Sequence, residues 1–433
     1  MPRQKLLILT YYWPPAGGAG VQRWLKFVKY LANYNYDIHI YTPENPEAPA
    51  QDDSLLNDIP DGITVIKKPI WEPFGFYKKL TGKKGSFNAG FLKEEAPQKT
   101  GFGEKVSLFI RANVFIPDAK MFWIKPSVKF LSSYIKEQNI DLIISSGPPH
   151  SLHLIAKKLK HRLGIKWIAD FRDPWTNIDF YQDLPILSIM DAYQKKLEKK
   201  VLQRADQVVV VGNEMKKEFQ EIAPKCPIEV ITNGYDSTIS GNKNLDKEFS
   251  ILHIGSINAH RSHESFYKAL SELCNDNEEF KQKFKLRLIG KVDFKARNFI
   301  KEYHLEEYTD ITPYLPYSKL GELQNSAHLL YLPINNSKNA KGILTGKFFE
   351  YLAAKRPIIA QGPISGDIAE ILMETKAGQI FTFDNIKDLK YAIMDEFKNF
   401  QTVKNPFQSQ QIEKYSREYL THKLNQLIQN LMK

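Results

Sequence analysis

Cysteine is scarce in these 433 residues: Cys226 and Cys274 are the only two, far apart and not at metal-ligand spacing. That excludes a disulfide framework and a cysteine zinc site, and a reducing cytoplasm is the expected setting. Long apolar runs are also missing. None approaches the roughly 20 residues that a membrane-spanning helix needs. The amino terminus, MPRQKLLILT, offers one strand-like run in place of the longer apolar core and small-residue cleavage site of a signal peptide. The expectation is a cytoplasmic protein, soluble or peripheral on the inner face of the cytoplasmic membrane. No repeat recurs at a fixed period and no segment is of low complexity, which sets aside solenoids and disordered chains.

Acidic residues are the minority, 49 against 60 Lys and Arg, for a net charge of +11. The surplus is local. Residues 67–136 hold 14 Lys and Arg against five Asp and Glu, interleaved with Trp71, Phe74, Phe76, Tyr77, Phe109, Phe115, Phe122, Trp123 and Phe130. Basic and large apolar residues together suit an anionic lipid surface, where apolar burial and charge attraction add. A solvated insertion with its own small core fits the same composition. Nucleic-acid binding, the remaining use of a basic chain, is disfavoured because the charge sits in one aromatic-rich window and no nucleic-acid motif is present.

The length suits two domains, since single cores seldom grow past about 250 to 300 residues. The pattern is α/β. Lys5–Thr10 is an apolar strand, Trp13–Gly20 a Pro- and Gly-rich loop, and Val21, Trp24, Leu25, Val28 and Leu31 recur at helical spacing before the strand Asp37–Tyr41. This is a βαβ unit, which implies a parallel sheet. Further strands are expected at Asp141–Ser145, Lys166–Asp170, Gln207–Val211 and Glu229–Thr232. A polar stretch, Asp236–Glu248, reads as a hinge. A second alternation follows, with strands at Ser250–Ile254, Lys285–Ile289, Ile311–Pro313, Leu329–Leu332, Pro357–Ala360 and Gly378–Phe381, and a long amphipathic segment, Gln410–Met432, closes the chain.

In open parallel sheets ligands bind beyond the carboxyl ends of the strands, so the loops there hold the candidate residues. The first loop contains Gly17 and Gly18, which let backbone approach a diphosphate or a sugar hydroxyl, or simply serve a tight turn. The second brings His150 to a helix start, as a donor, a base or a capping residue. The third is Asp170-Phe171-Arg172-Asp173, two carboxylates flanking an arginine, costly to bury unless used or paired. Asp173 or Asp170 is a candidate base, and Arg172 a candidate partner of phosphate or carboxylate. In the second half Arg261 and Lys291 each follow a strand and are candidates to neutralise a leaving diphosphate, or are plain surface charges. The stretch KGILTGKFFEYLAAKRPII places Thr345, Gly346 and Lys347 at the start of a helix, a seat for diphosphate, with Glu350 three residues on as acceptor for ribose hydroxyls or as partner of Lys347.

Taken together, PPAGGAG, SGPPHS, ADFRDPW, ADQVVVV, VITNGYD, HIGSI and GKFFEYLAAKRPII resemble the retaining, family-4-type glycosyltransferases of the GT-B fold, which build bacterial surface polysaccharides and lipid-linked glycans. The resemblance implies two Rossmann-like doubly wound domains facing across a cleft. Residues 1–236 would form the acceptor side, 237–408 the nucleotide-sugar domain, and 409–433 a helix returning across both. It implies hexosyl transfer from a nucleotide-diphosphate sugar to a glycan or lipid-linked acceptor, with no metal and no cofactor beyond the donor. Glu350 resembles the second glutamate of the E-x7-E signature, and Arg261 with Lys291 the basic pair that grips diphosphate. Two positions depart from the pattern: Gly342 stands where the first glutamate would be, and Arg172 where many relatives carry histidine. A sugar-nucleotide epimerase or hydrolase of the same fold is the rival reading.

Overall fold

The computed structural model describes residues 3–48, 51–72, 102–179, 181–236, 244–315, 317–402 and 409–433. The centre of the basic, aromatic window and most of the hinge segment lie outside these residues. The chain forms two compact units, one ending at Asn233 and resuming at Arg417–Lys433, the other spanning Gly234–Ser416.

Among the described residues the first unit holds seven strands: β1 (Gln4–Leu9), β2 (Tyr36–Pro43), β3 (Thr64–Lys68), β4 (Leu142–Gly147), β5 (Lys166–Phe171), β6 (Gln207–Val210) and β7 (Ile228–Val230). All pair in parallel, in the order β3-β2-β1-β4-β5-β6-β7. Its helices are α1 (Ala19–Leu31), α2 (Phe102–Asn113), α3 (Ile124–Gln138), α4 (Ser151–Leu163), α5 (Ser188–Arg204) and α6 (Asn213–Ile222). In the second unit, β8 (Phe249–Ile254), β9 (Phe284–Ile289), β10 (Thr309–Thr312), β11 (Leu329–Pro333), β12 (Ile358–Gln361) and β13 (Gly378–Phe381) form a parallel sheet ordered β10-β9-β8-β11-β12-β13. Its helices are α7 (Glu264–Asp276), α8 (Glu278–Lys283), α9 (Phe294–Glu302), α10 (Tyr317–Ser326), α11 (Gly346–Ala354), α12 (Asp367–Thr375) and α13 (Ile386–Thr402), and α14 (Arg417–Met432) belongs to the first unit.

Helices cover both faces of each sheet, so the central strands are buried on both sides and read as unbroken apolar runs rather than alternations. Leu6 to Leu9 in β1 and Leu142 to Ile144 in β4 are wholly buried, paired Leu6 to Leu142 and onward. Val21, Trp24, Leu25, Val28 and Leu31 form the buried stripe of α1. Leu420, Leu424 and Ile428, spaced four apart on α14, join that cluster; each such side chain contributes about 1.5–3 kcal/mol when buried.

In both sheets the strand order reverses beside the first strand, between β1 and β4 and between β8 and β11. These switch points open a crevice at the carboxyl edge, where the loops diverge to opposite faces. The division between units at Asn233/Gly234 differs from the expected 236/237 because Tyr235 is tied to the second unit. Its N–H donates to the Tyr415 carbonyl at 3.2 Å and its hydroxyl to the Ile412 carbonyl at 3.1 Å. The closing segment is likewise divided: Ile412–Tyr415 form a short turn of the second unit, and only from Arg417 does the helix pack on α1.

Candidate active site

Three loops meet at the first unit's switch point, and Arg172 ties them together. Its Nη1 donates to the Gly20 carbonyl at 3.0 Å, its Nη2 donates to the Pro148 carbonyl, and its backbone N–H donates to the Gly147 carbonyl at 2.9 Å. Gly20 is needed for this approach, since a Cβ there would stand 2.9 Å from Nη1 and 2.8 Å from the Tyr12 ring. Gly18 opens α1 at φ +96° with no side-chain cap, and Gly17 precedes it in the same turn. The Arg172 Nε is buried with no protein acceptor among the described residues.

Asp170, expected as a possible base, is instead an anchor. The residue is 1% exposed. Its two oxygens accept from Arg23 Nη2 at 2.7 Å, Arg23 Nε at 3.1 and 3.2 Å, Trp24 Nε1 at 2.8 Å and Ser146 Oγ at 2.8 Å. Arg23 spends its remaining donors on the carbonyls of Ile231 and Thr232 and on Asn233 Oδ1. A carboxylate so saturated has no free lone pair for an acceptor proton; the pair locks α1 to the ends of β5 and β7. The sequence hid this because Arg23 sits in an apolar helix far from Asp170 in the chain.

Asp173 stays half-buried, its carboxyl raised by burial and held back by the Arg172 charge. His150, just before α4, is buried with its ring stacked on Trp175 at 4.5 Å and 6°. Burial, helped by His153 and Arg172, pushes its pKa well below the ordinary value, so it is a neutral imidazole at pH 7. Its Nδ1 has no partner among the described residues, nor has Nε2 of the adjacent, wholly buried His153. Both nitrogens converge on the space that a Cβ at Gly147 would fill, at 3.2 and 2.5 Å.

The second unit gathers its own group at the β8/β11 switch point. Gly255 directly follows β8 at φ +119°, and a Cβ there would fall on the Lys347 ammonium. Only glycine serves at this position, for conformation and for space. Lys347 lies in the first turn of α11, and burial, with repulsion from Arg261, depresses its pKa to about 7 while Glu350 partly offsets the shift. The Arg261 guanidinium is held by Nε to Asn335 Oδ1 at 2.7 Å and Nη1 to the Ser256 carbonyl at 3.3 Å, and its turn is capped by Asn258 Oδ1 at 3.0 Å. Arg261 stands in that short turn rather than at a helix start, because α7 begins only at Glu264. Thr345 is the N-cap of α11, yet its buried Oγ1 has no partner among the described residues. Beside it Gly346 leaves open space where a side chain would stand. Gln324 Nε2 donates to Glu350 Oε2 at 3.5 Å.

Arg261, Thr345, Gly346, Lys347 and Glu350 thus share one edge, with two cations and the N–H groups of a helix start, which carry partial positive charge. Lys291 stands exposed just beyond β9, the neighbouring strand. Two residues of this edge escaped notice in the sequence. Asn335 orients Arg261, and His253 in β8 bonds the Tyr331 carbonyl at 2.9 Å while its Nε2 stays buried and unpartnered among the described residues.

The description "Glycosyltransferase Family 4" matches residues 91–238, and "Glycosyl transferases group 1" matches 235–418. The chain belongs to the GT-B-fold glycosyltransferases. No curated protein matches it. Among solved structures, a glycosyltransferase from Rickettsia africae is 15% identical and aligns over 100% of both chains with a TM-score of 0.64. Sucrose-phosphate synthase from Thermosynechococcus elongatus is 12% identical over 99% of both chains, TM-score 0.63. HepE of Anabaena, solved in complex with UDP, is 12% identical over 99% of this chain and 100% of its own, TM-score 0.62. At these identities the likeness is one of fold. In this glycosyltransferase the position of the missing signature glutamate, Gly342, closes a short turn at Ala340–Gly342 ahead of α11. None of the described helices is long and apolar enough to cross a membrane.

Proposed function

We propose that this glycosyltransferase moves a hexosyl group from a nucleotide-diphosphate sugar to a glycan or lipid-linked acceptor, with retention and without a metal ion, in the assembly of bacterial surface polysaccharide. The observation that carries the reading is the half-buried Lys347 side chain, packed against Gly255 beside Arg261 at the start of α11. Two cations and a helix start at one switch point suit the charge of a diphosphate. In the reaction the sugar C1–O bond to phosphate breaks, the bond from the acceptor oxygen to C1 forms on the same face, and the acceptor proton passes to a phosphate oxygen. Charge grows on the diphosphate as the bond breaks, so cations fixed there lower the barrier more than they tighten ground-state binding. Arg261, Lys347 and, from the neighbouring strand edge, Lys291 supply that charge without a metal ion. Glu350 accepts from the ribose hydroxyls.

Uridine diphosphate sugars are the first donors to assay, since HepE carries UDP. Release of nucleoside diphosphate only when an acceptor is present, lost in Lys347→Ala, supports transfer. Release or isomerisation of labelled sugar with no acceptor would favour the epimerase or hydrolase reading; a putative UDP-N-acetylglucosamine 2-epimerase from Listeria monocytogenes shares the fold at TM-score 0.56.

The first unit, on this reading, rests on an anionic membrane surface. Val106, Phe109 and Ile110 lie exposed on α2, with Val114, Phe122 and Trp71 also exposed, and Lys105, Lys125 and Lys129 extend from α2 and α3. Co-sedimentation with vesicles of anionic but not zwitterionic lipid tests this; equal binding to both, or to neither, counts against it.

A further inference from the structure

The buried face of α5 carries two polar residues where packing alone would call for apolar ones. Leu197, Val201 and Leu202 fill the core, but Gln194 and Glu198, one turn apart, are 5% and 1% exposed. A buried carboxylate persists only where its oxygens are saturated. Glu198 Oε1 accepts from the backbone N–H groups of Trp175 at 3.2 Å and Thr176 at 3.4 Å, and Oε2 accepts from the Thr176 hydroxyl at 2.7 Å. Gln194 Oε1 accepts from the Trp175 indole at 2.8 Å, while its Nε2 donates to the Pro117 carbonyl at 3.1 Å. One helix therefore grips both the main chain and the indole of the loop that follows β5. That loop carries Asp173, and its indole stacks on the His150 ring.

We propose that Glu198, assisted by Gln194, is a positioning residue that fixes the Asp173–Thr176 loop, and through Trp175 the His150 ring, in the orientation sugar transfer requires. The inference rests on the transferase reading above. What the role demands is acceptor oxygen at this point, not charge, because all three donors it meets are neutral. Glu198→Gln keeps the oxygen that takes both backbone N–H groups and turns an amide donor toward the Thr176 oxygen, which can accept. Glu198→Leu fills the volume and leaves those donors without a partner. Val201→Ala, on the same helix, weakens packing but touches none of these bonds.

The experiment measures kcat and donor KM for wild type, the two Glu198 variants, Thr176→Val and Val201→Ala, beside their melting temperatures and histidine NMR spectra. Glu198→Leu should lose tenfold or more in kcat with donor KM within about twofold, and shift the His150 ring resonance, which the stacked indole displaces. Glu198→Gln should keep kcat within about fivefold. Thr176→Val should fall between, and Val201→Ala should stay near wild type even if it melts earlier. The inference is overturned if Glu198→Leu matches Val201→Ala in kcat and leaves the His150 resonance in place, or if Gln rescues no better than Leu. Should Leu fail to fold, the Gln and Thr176→Val variants decide between the same outcomes. Should wild type transfer no sugar at all, the transferase reading fails, while the His150 resonance still decides the positioning claim.

Discussion

Raising the pH from 6 to 8 should weaken the binding of a nucleotide sugar about tenfold. The perturbation acts on Lys347, whose side chain packs on Gly255, is partly desolvated there and is repelled by Arg261, so that in the free enzyme its pKa falls to about 7. A diphosphate beside it favours the charged form and raises that pKa in the complex. The free group is depressed and the bound group raised, so binding takes up a proton above pH 7 and affinity falls as pH rises. About nine-tenths of the free enzyme is in the binding form at pH 6 and about one-tenth at pH 8, a difference near 1.4 kcal/mol. A nucleotide sugar is the right probe because its diphosphate, esterified at both ends, does not titrate in this range. The neighbouring His253 does not intrude, since burial holds it down to about 3, with Lys347 adding to the effect. Isothermal titration at pH 6, 7 and 8, in two buffers of different ionisation enthalpy, reads both affinity and proton uptake. Uptake should approach one proton at pH 8 and vanish at pH 6, and Lys347→Met should abolish the dependence. An unchanged dissociation constant across this range, with no proton uptake by wild type, would refute the reasoning.

Lys347→Ala should cost about 10²-fold or more in turnover, as loss of one preorganised cation does, measured by release of nucleoside diphosphate. Gly255→Ala should be at least as damaging, because its Cβ claims the space of the Lys347 ammonium and its φ of +119° disfavours any side chain; turnover and thermal melting both report it. Glu350→Ala should raise donor KM about tenfold, the loss expected when hydroxyls leave a charged acceptor, while kcat changes less. Asp170→Asn should lower stability by about 3–5 kcal/mol in denaturant unfolding, since it leaves the Arg23 charge buried without its partner; a variant as stable as wild type would restore Asp170 as a candidate base.

The sheets were legible in the sequence because a strand buried on both faces has to be an apolar run, as β1, β4 and β8 are. β3 was missed for the converse reason: Thr64–Lys68 lies at the sheet edge, partly exposed, and reads as no pattern at all. Loops after strands were legible as candidate sites because topology fixes where ligands approach a parallel sheet. Side-chain pairing across the chain was not. Nothing local links Arg23 to Asp170, and Gln194 and Glu198 sit among the lysines of QKKLEKK, where the charged neighbours do not mark them as buried. One cue for them was present: they share a helical stripe with Leu197 and Val201, so the core-facing side of α5 was polar where it should have been apolar. Gly255 had no cue, because its need for glycine arises from a lysine that reaches it from α11.

Titration of the wild-type protein and Lys347→Ala with uridine, guanosine and adenosine diphosphates, read by thermal unfolding, tests the central claim most directly. One nucleotide should stabilise the wild type, by about 2.7 kcal/mol at 100 times its dissociation constant, and the Ala variant should lose most of that gain. Stabilisation of both proteins to the same extent, or of neither by any nucleotide, would contradict a diphosphate seat at the start of α11.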